Sequence, residues 1–92
     1  MKQVRATIRL RGLVQGVNFR NFTTSKAQDN NVTGWVRNLP NGEVEAVLEG
    51  RESDVKKVIE GCQEGPGGSR VDEVLVDWED YRGEFDSFKT VY

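Results

Sequence analysis

Val55, Val58, Ile59 and Cys62 fall at i, i+3, i+4 and i+7, the spacing of one helical face. On either side the apolar period is two. Val4, Ala6, Ile8 and Leu10 alternate with Arg5, Thr7, Arg9 and Arg11. Val44, Ala46 and Leu48 alternate with Glu43, Glu45 and Glu49, and Val74, Val76 and Trp78 again share one parity. A chain that switches between these periods must lay helical stripes on one face of a sheet to bury both.

The remaining elements follow from the punctuation between these runs. Residues 4–11 read as a half-buried strand and residues 12–18 as a loop. A helix then runs from Phe19 to about Asn30, with Phe19, Phe22 and Ala27 on one thin face, and Asn30-Asn31 stops it. Residues 32–39 form a second strand. It turns through Pro40-Asn41-Gly42, where proline presets one φ and Asn-Gly tolerates positive φ, and returns as a third strand at 43–49. Ser53 is the expected N-cap of the second helix, with Asp54 in its first turn. Gly65-Pro66-Gly67-Gly68 ends that helix. Residues 71–78 form a fourth strand, 79–84 an acidic loop and 85–92 a last strand.

The expected fold is therefore α+β: a ferredoxin-like, split βαβ sandwich with two helices on one face of a five-stranded, mainly antiparallel sheet. At 92 residues a single domain spanning 1–92 is expected. Trp35, Trp78, Phe22 and Phe88 are expected core aromatics. Glu43, Glu45 and Glu49 are expected on a solvated face, paired across strands with Arg5, Arg9 and Arg11.

Composition removes several kinds of chemistry. There is no histidine and one cysteine, so the commonest general base is absent and a zinc site is close to excluded. Cys62 cannot form an internal disulfide, and its place on the apolar stripe reads as packing. No apolar stretch approaches the length of a membrane helix, and the first residues lack the apolar core of a signal peptide. Cytoplasm is the expected compartment. A net charge of −2 argues against a nucleic-acid partner, and the aromatic RNA-binding motif of ferredoxin-like domains is missing.

Two places carry candidate chemistry. Gly12-Leu13-Val14-Gln15-Gly16-Val17-Asn18-Phe19-Arg20 leads from strand to helix. Arg20 lies in a helix first turn, where a cation opposes the macrodipole and N–H groups lack intrahelical acceptors. A bound anion would reconcile both. The two glycines alone also read as simple turn residues. The loop is neither a Walker A loop nor a dinucleotide fingerprint. Asn38 precedes the hairpin turn, where it either caps the turn or faces the loop and holds a water through its donor and acceptor. Thr23 and Ser25 have no neighbour that would activate a hydroxyl.

The 12–20 segment resembles the first signature of the acylphosphatases. Gly34-Trp35-Val36-Arg37-Asn38-Leu39-Pro40-Asn41-Gly42-Glu43-Val44, running on to Gly50, resembles the second. With the element order, the resemblance covers nearly the whole chain. One departure is Asn18, where the family commonly has glycine or an aromatic.

The resemblance implies hydrolysis of carboxyl–phosphate anhydrides to a carboxylate and inorganic phosphate, with no metal or cofactor and no phosphoenzyme. It implies that Arg20 and the backbone N–H groups of Gln15, Gly16, Val17, Asn18, Phe19 and Arg20 bind the phosphoryl oxygens. Asn38 would orient the attacking water. The expected partner is a small-molecule acyl phosphate, and the expected state is a monomer. A non-catalytic, phosphate-binding accessory domain is the alternative. The end of the chain at Tyr92, without a cysteine-rich segment, leads us to expect the free-standing enzyme.

The chemistry of the residues agrees with this implication. A carboxylate leaving group has a conjugate acid of pKa near 4, so it needs no proton from a general acid. Phosphoryl transfer then rests on positioning and charge stabilisation. An arginine, backbone N–H groups and one amide can supply both.

Overall fold

The computed structural model describes residues 2–91. The elements are β1 (Gln3–Leu13), α1 (Phe19–Asp29), β2 (Thr33–Asn38), β3 (Val44–Arg51), α2 (Glu52–Glu64), β4 (Arg70–Asp80) and β5 (Phe88–Thr90). The strands form one sheet in the order β4-β1-β3-β2-β5. The pairs β1–β3, β1–β4 and β2–β3 are antiparallel, and β2–β5 is parallel. The sheet is thus mixed only at one edge.

The period-two pattern divides the sheet by parity. Val4, Ala6, Ile8 and Leu10 of β1 lie opposite Gly50, Leu48, Ala46 and Val44 of β3. These side chains are buried beneath the helices, together with Val36, Phe88 and the α2 stripe Val55, Val58, Ile59 and Cys62. On the other face, Arg9 pairs with Glu43 and Glu45, Arg11 with Glu43 and Glu73, and Arg37 with Glu45. The expected cross-strand pairing of the β1 arginines is observed. Such half-exposed pairs are screened by solvent and chiefly fix register.

Gly12 sits where the β1–β4 register shifts, and a Cβ there would strike the Arg70 carbonyl oxygen. The edge strand β4 carries Asp72, Glu73, Asp77, Glu79 and Asp80, a charge density that opposes edge-to-edge pairing.

Several expectations are corrected. Glu49 is not solvated: it is 1% exposed. Its carboxylate lies 3.5 Å from the Arg5 guanidinium and accepts the backbone N–H groups of Arg82 and Glu84 at 2.7 and 3.2 Å. The segment after β4 folds over that end of the open face and brings these donors, which local alternation does not encode. Trp78 is 47% exposed because it sits near the end of the edge strand, beside Lys2, Gln3 and Glu52. Trp35 and Phe22 are half-buried, and Phe88 is a core residue as expected. Ser53 is not the N-cap; Arg51 is, and no side chain caps that end. β1 extends through Leu13, β4 absorbs Glu79 and Asp80, and the last strand shrinks to three residues, with Tyr92 outside the described residues.

Candidate functional site

β1 delivers the chain into a short loop whose two ends are anchored in the core. Val14 is 1% exposed and Phe19 is 2% exposed. Between them the backbone must curl within four residues, and two positive φ values do it: Gly16 at 73° and Asn18 at 64°. Glycine adopts this region at little cost, and asparagine is among the few side chains that tolerate it. Asn18 (φ 64°, ψ 25°) is the N-cap of α1, and its side chain makes no capping bond. The Asn18 carbonyl accepts the Phe22 N–H at 3.1 Å, so helical bonding starts there. N–H groups of the first turn consequently face away from any intrahelical acceptor. No acidic residue lies in that first turn.

The second half of the site comes from the β2–β3 hairpin. Asn38 is the last residue of β2 and pairs with Val44. It shares parity with Gly34 and Val36, so it lies on the helix side of the sheet. The turn is well defined: Gly42 N–H donates to the Leu39 carbonyl at 3.2 Å, with Pro40 and Asn41 at its centre. The Asn41 side chain accepts the Glu43 N–H at 3.0 Å.

A bond absent from the sequence reading joins the two halves. The Gln15 amide nitrogen donates to the Leu39 carbonyl at 2.7 Å and to the Glu43 carbonyl at 2.8 Å. Both amide hydrogens are used, one on each side of the turn. Gln15 therefore ties the loop to the hairpin immediately beyond Asn38.

The two halves enclose a cavity of about 250 Å³ lined by Val14, Gly16, Asn18, Phe19, Arg20, Asn21 and Asn38. Arg20 and Asn38, 18 positions apart in the chain, meet in it. Arg20 is the one charged side chain among the described residues that line it. The cavity suits an anion.

The other candidate residues fall into place around it. Gly16, Asn18 and Phe19 line the cavity. Gln15 faces the hairpin through its side chain, and Val17 packs against the core. Val14 and Asn21 line the wall without any sequence signal beyond their proximity to the loop.

Other nucleophiles are disabled by their surroundings. The buried Thr23 hydroxyl bonds the Phe19 carbonyl at 3.0 Å, the back-bond of a helical threonine. Burial pushes the Cys62 thiol up to about 11, so it stays protonated at neutral pH. Among the described residues no group of three or more His, Cys, Asp or Glu side chains is placed to hold a metal ion, and no helix is long and apolar enough to cross a membrane.

Comparison with known proteins agrees with the geometry. The acylphosphatase family model matches residues 6–90. An acylphosphatase of Geobacter metallireducens is 48% identical over 90 residues, covering 98% of this chain and 97% of that one. One of Pyrobaculum islandicum is 52% identical over 90 residues, covering 97% and 95%. The crystal structure of acylphosphatase from Bacillus subtilis superposes with a TM-score of 0.94 at 31% identity, covering 97% of this chain and 99% of that one.

Proposed function

The chain belongs to the acylphosphatase family, and on that premise we propose that its 15–20 loop and Arg20 hold the phosphoryl group of an acyl phosphate while Asn38 orients the attacking water. The observation that carries this assignment is the meeting of Arg20 and Asn38 in one small cavity.

The reaction is hydrolysis of a carboxyl–phosphate anhydride. Water oxygen bonds to phosphorus as the bond from phosphorus to the acyl oxygen breaks. The electron pair leaves on the carboxylate, and both hydrogens of the water end on the phosphate. The leaving carboxylate is a weak base, so no general acid is required. The transition state is loose and in line, with charge spread over the equatorial oxygens. A guanidinium fork and loop N–H groups match that charge. The Asn38 amide accepts from the water and donates to a phosphoryl oxygen, which fixes the line of attack. Nothing in these steps calls for a metal or a covalent phosphoenzyme. Phosphate monoesters, with their poorer leaving groups, are expected to be poor substrates.

The buried single cysteine and the chain's acidic balance support a reducing compartment, without nucleic acid as partner.

The test follows benzoyl phosphate absorbance in the presence of a chelator. R20A is expected to lower kcat/KM on the order of 10³-fold and to weaken inhibition by phosphate. N38A is expected to spare phosphate inhibition and lower kcat by roughly 10²-fold. Full kcat in N38A would remove the water-orienting role, and activity that a chelator abolished and a divalent ion restored would remove the metal-free step.

A further inference from the structure

We propose that the carboxamides of Asn18 and Asn21 form the acyl-group wall of this site and select small, hydrogen-bonding acyl phosphates over aromatic ones. The inference rests on the placement of phosphate and water proposed above. It starts from size. A cavity of about 250 Å³ lies below the ~300–1,000 Å³ common for ligand pockets. Phosphate and a water occupy part of it, so the acyl group lies at its open mouth.

The wall that meets this group follows by position. In-line displacement puts the leaving carboxylate opposite the water. Asn38, which holds the water, comes from the sheet, so the acyl group emerges at the helix lip. Val14 and Phe19 are buried and form the floor. Of the exposed lining residues Gly16, Asn18 and Asn21, the two asparagines carry side chains. Asn21 Nδ2 donates to Asn18 Oδ1 at 2.7 Å. That bond consumes one donor and one acceptor of the pair. The Asn18 amide hydrogens and the Asn21 carbonyl oxygen are left to face a ligand. The αL backbone of Asn18 fixes where its amide starts. A carbamoyl group offers one carbonyl and one NH₂, the complement of that pair. A benzoyl group offers the same carbonyl but a phenyl ring in place of the NH₂, which leaves the Asn21 oxygen desolvated and without a donor.

The experiment measures kcat/KM for carbamoyl phosphate and benzoyl phosphate in wild type, N21L, N21A and R20A, with the inhibition constant for inorganic phosphate. N21L and N21A are expected to lower the carbamoyl-to-benzoyl ratio by roughly tenfold, with phosphate inhibition unmoved. A ratio constant within about twofold, with both substrates still turned over, overturns the acyl wall and leaves the phosphate site standing. Turnover of both substrates that R20A does not change would instead overturn the phosphate site, and this inference with it. N21A guards against a misfolded N21L, because alanine favours the helix.

Discussion

The two helices begin in opposite ways. α2 starts from an extended Arg51, its first N–H is accepted by the Lys2 carbonyl at 3.0 Å, and Glu52 and Asp54 supply negative charge in the first turn. α1 starts from a left-handed Asn18, has no acid in its first turn, and places Arg20 there instead. The α2 end meets its dipole and its first N–H from within the chain. In the function proposed above, the α1 end takes an anionic ligand. On the proposed function, α2 starts for stability and α1 for an anion that comes and goes.

The largest expected effect comes from giving α1 the charge that α2 has. R20E sets a carboxylate against the phosphoryl group and is expected to remove acyl phosphate hydrolysis more fully than R20A. Activity should fall by at least ~10³-fold while the fold survives. Retained activity in R20E would contradict the anion site.

Next is the tie between loop and hairpin. Q15L deletes both bonds from the Gln15 amide, while the Leu39 and Glu43 carbonyls each keep one backbone N–H, from Gly42 and Leu39. A kcat loss of ~10- to 100-fold is expected, larger than any change in phosphate inhibition. Equal loss in both would mean that Gln15 supports the loop alone and not its alignment with Asn38.

A smaller effect lies away from the site. The Cys62 thiol titrates near 11 when folded, against an ordinary value of 9. Its folded value is raised, so the stability it adds is fully present below pH 9 and is lost as pH rises through 11. The total change is about 3 kcal/mol. Urea midpoints of the wild type should fall across pH 9–11 more steeply than those of C62A. Parallel slopes would contradict this assignment.

The smallest effect is expected at α2. E52Q and D54N should each cost about 0.3–1 kcal/mol and leave hydrolysis unchanged.

How much of this was legible in the sequence differs between the same regions. Alternation in β1 and β3 and the helical stripe of α2 gave the sheet faces and the core, because neighbouring positions alone set those periods. Asn38 was legible only as a turn cap or as a residue facing the loop, and its pairing with Val44 puts it on the helix side. Arg20 stood out because its charge conflicts with its position. Glu49 did not, because its partners arrive from 33 and 35 positions away. The Gln15 amide was equally hidden: its acceptors are the Leu39 and Glu43 carbonyls, which every residue possesses. The αL backbone of Asn18 also has no pattern to read, since asparagine suits many conformations. What local periodicity fixes was visible, and what long-range backbone pairing fixes was not.

The most direct test of the contrast between the two helix starts is a titration with inorganic phosphate followed by amide chemical shifts. Shifts concentrated at residues 15–21 and at the Asn38 side chain, with residues 51–55 unmoved, are the expected result. Equal shifts at both helix starts, or none at residues 15–20, would contradict the account.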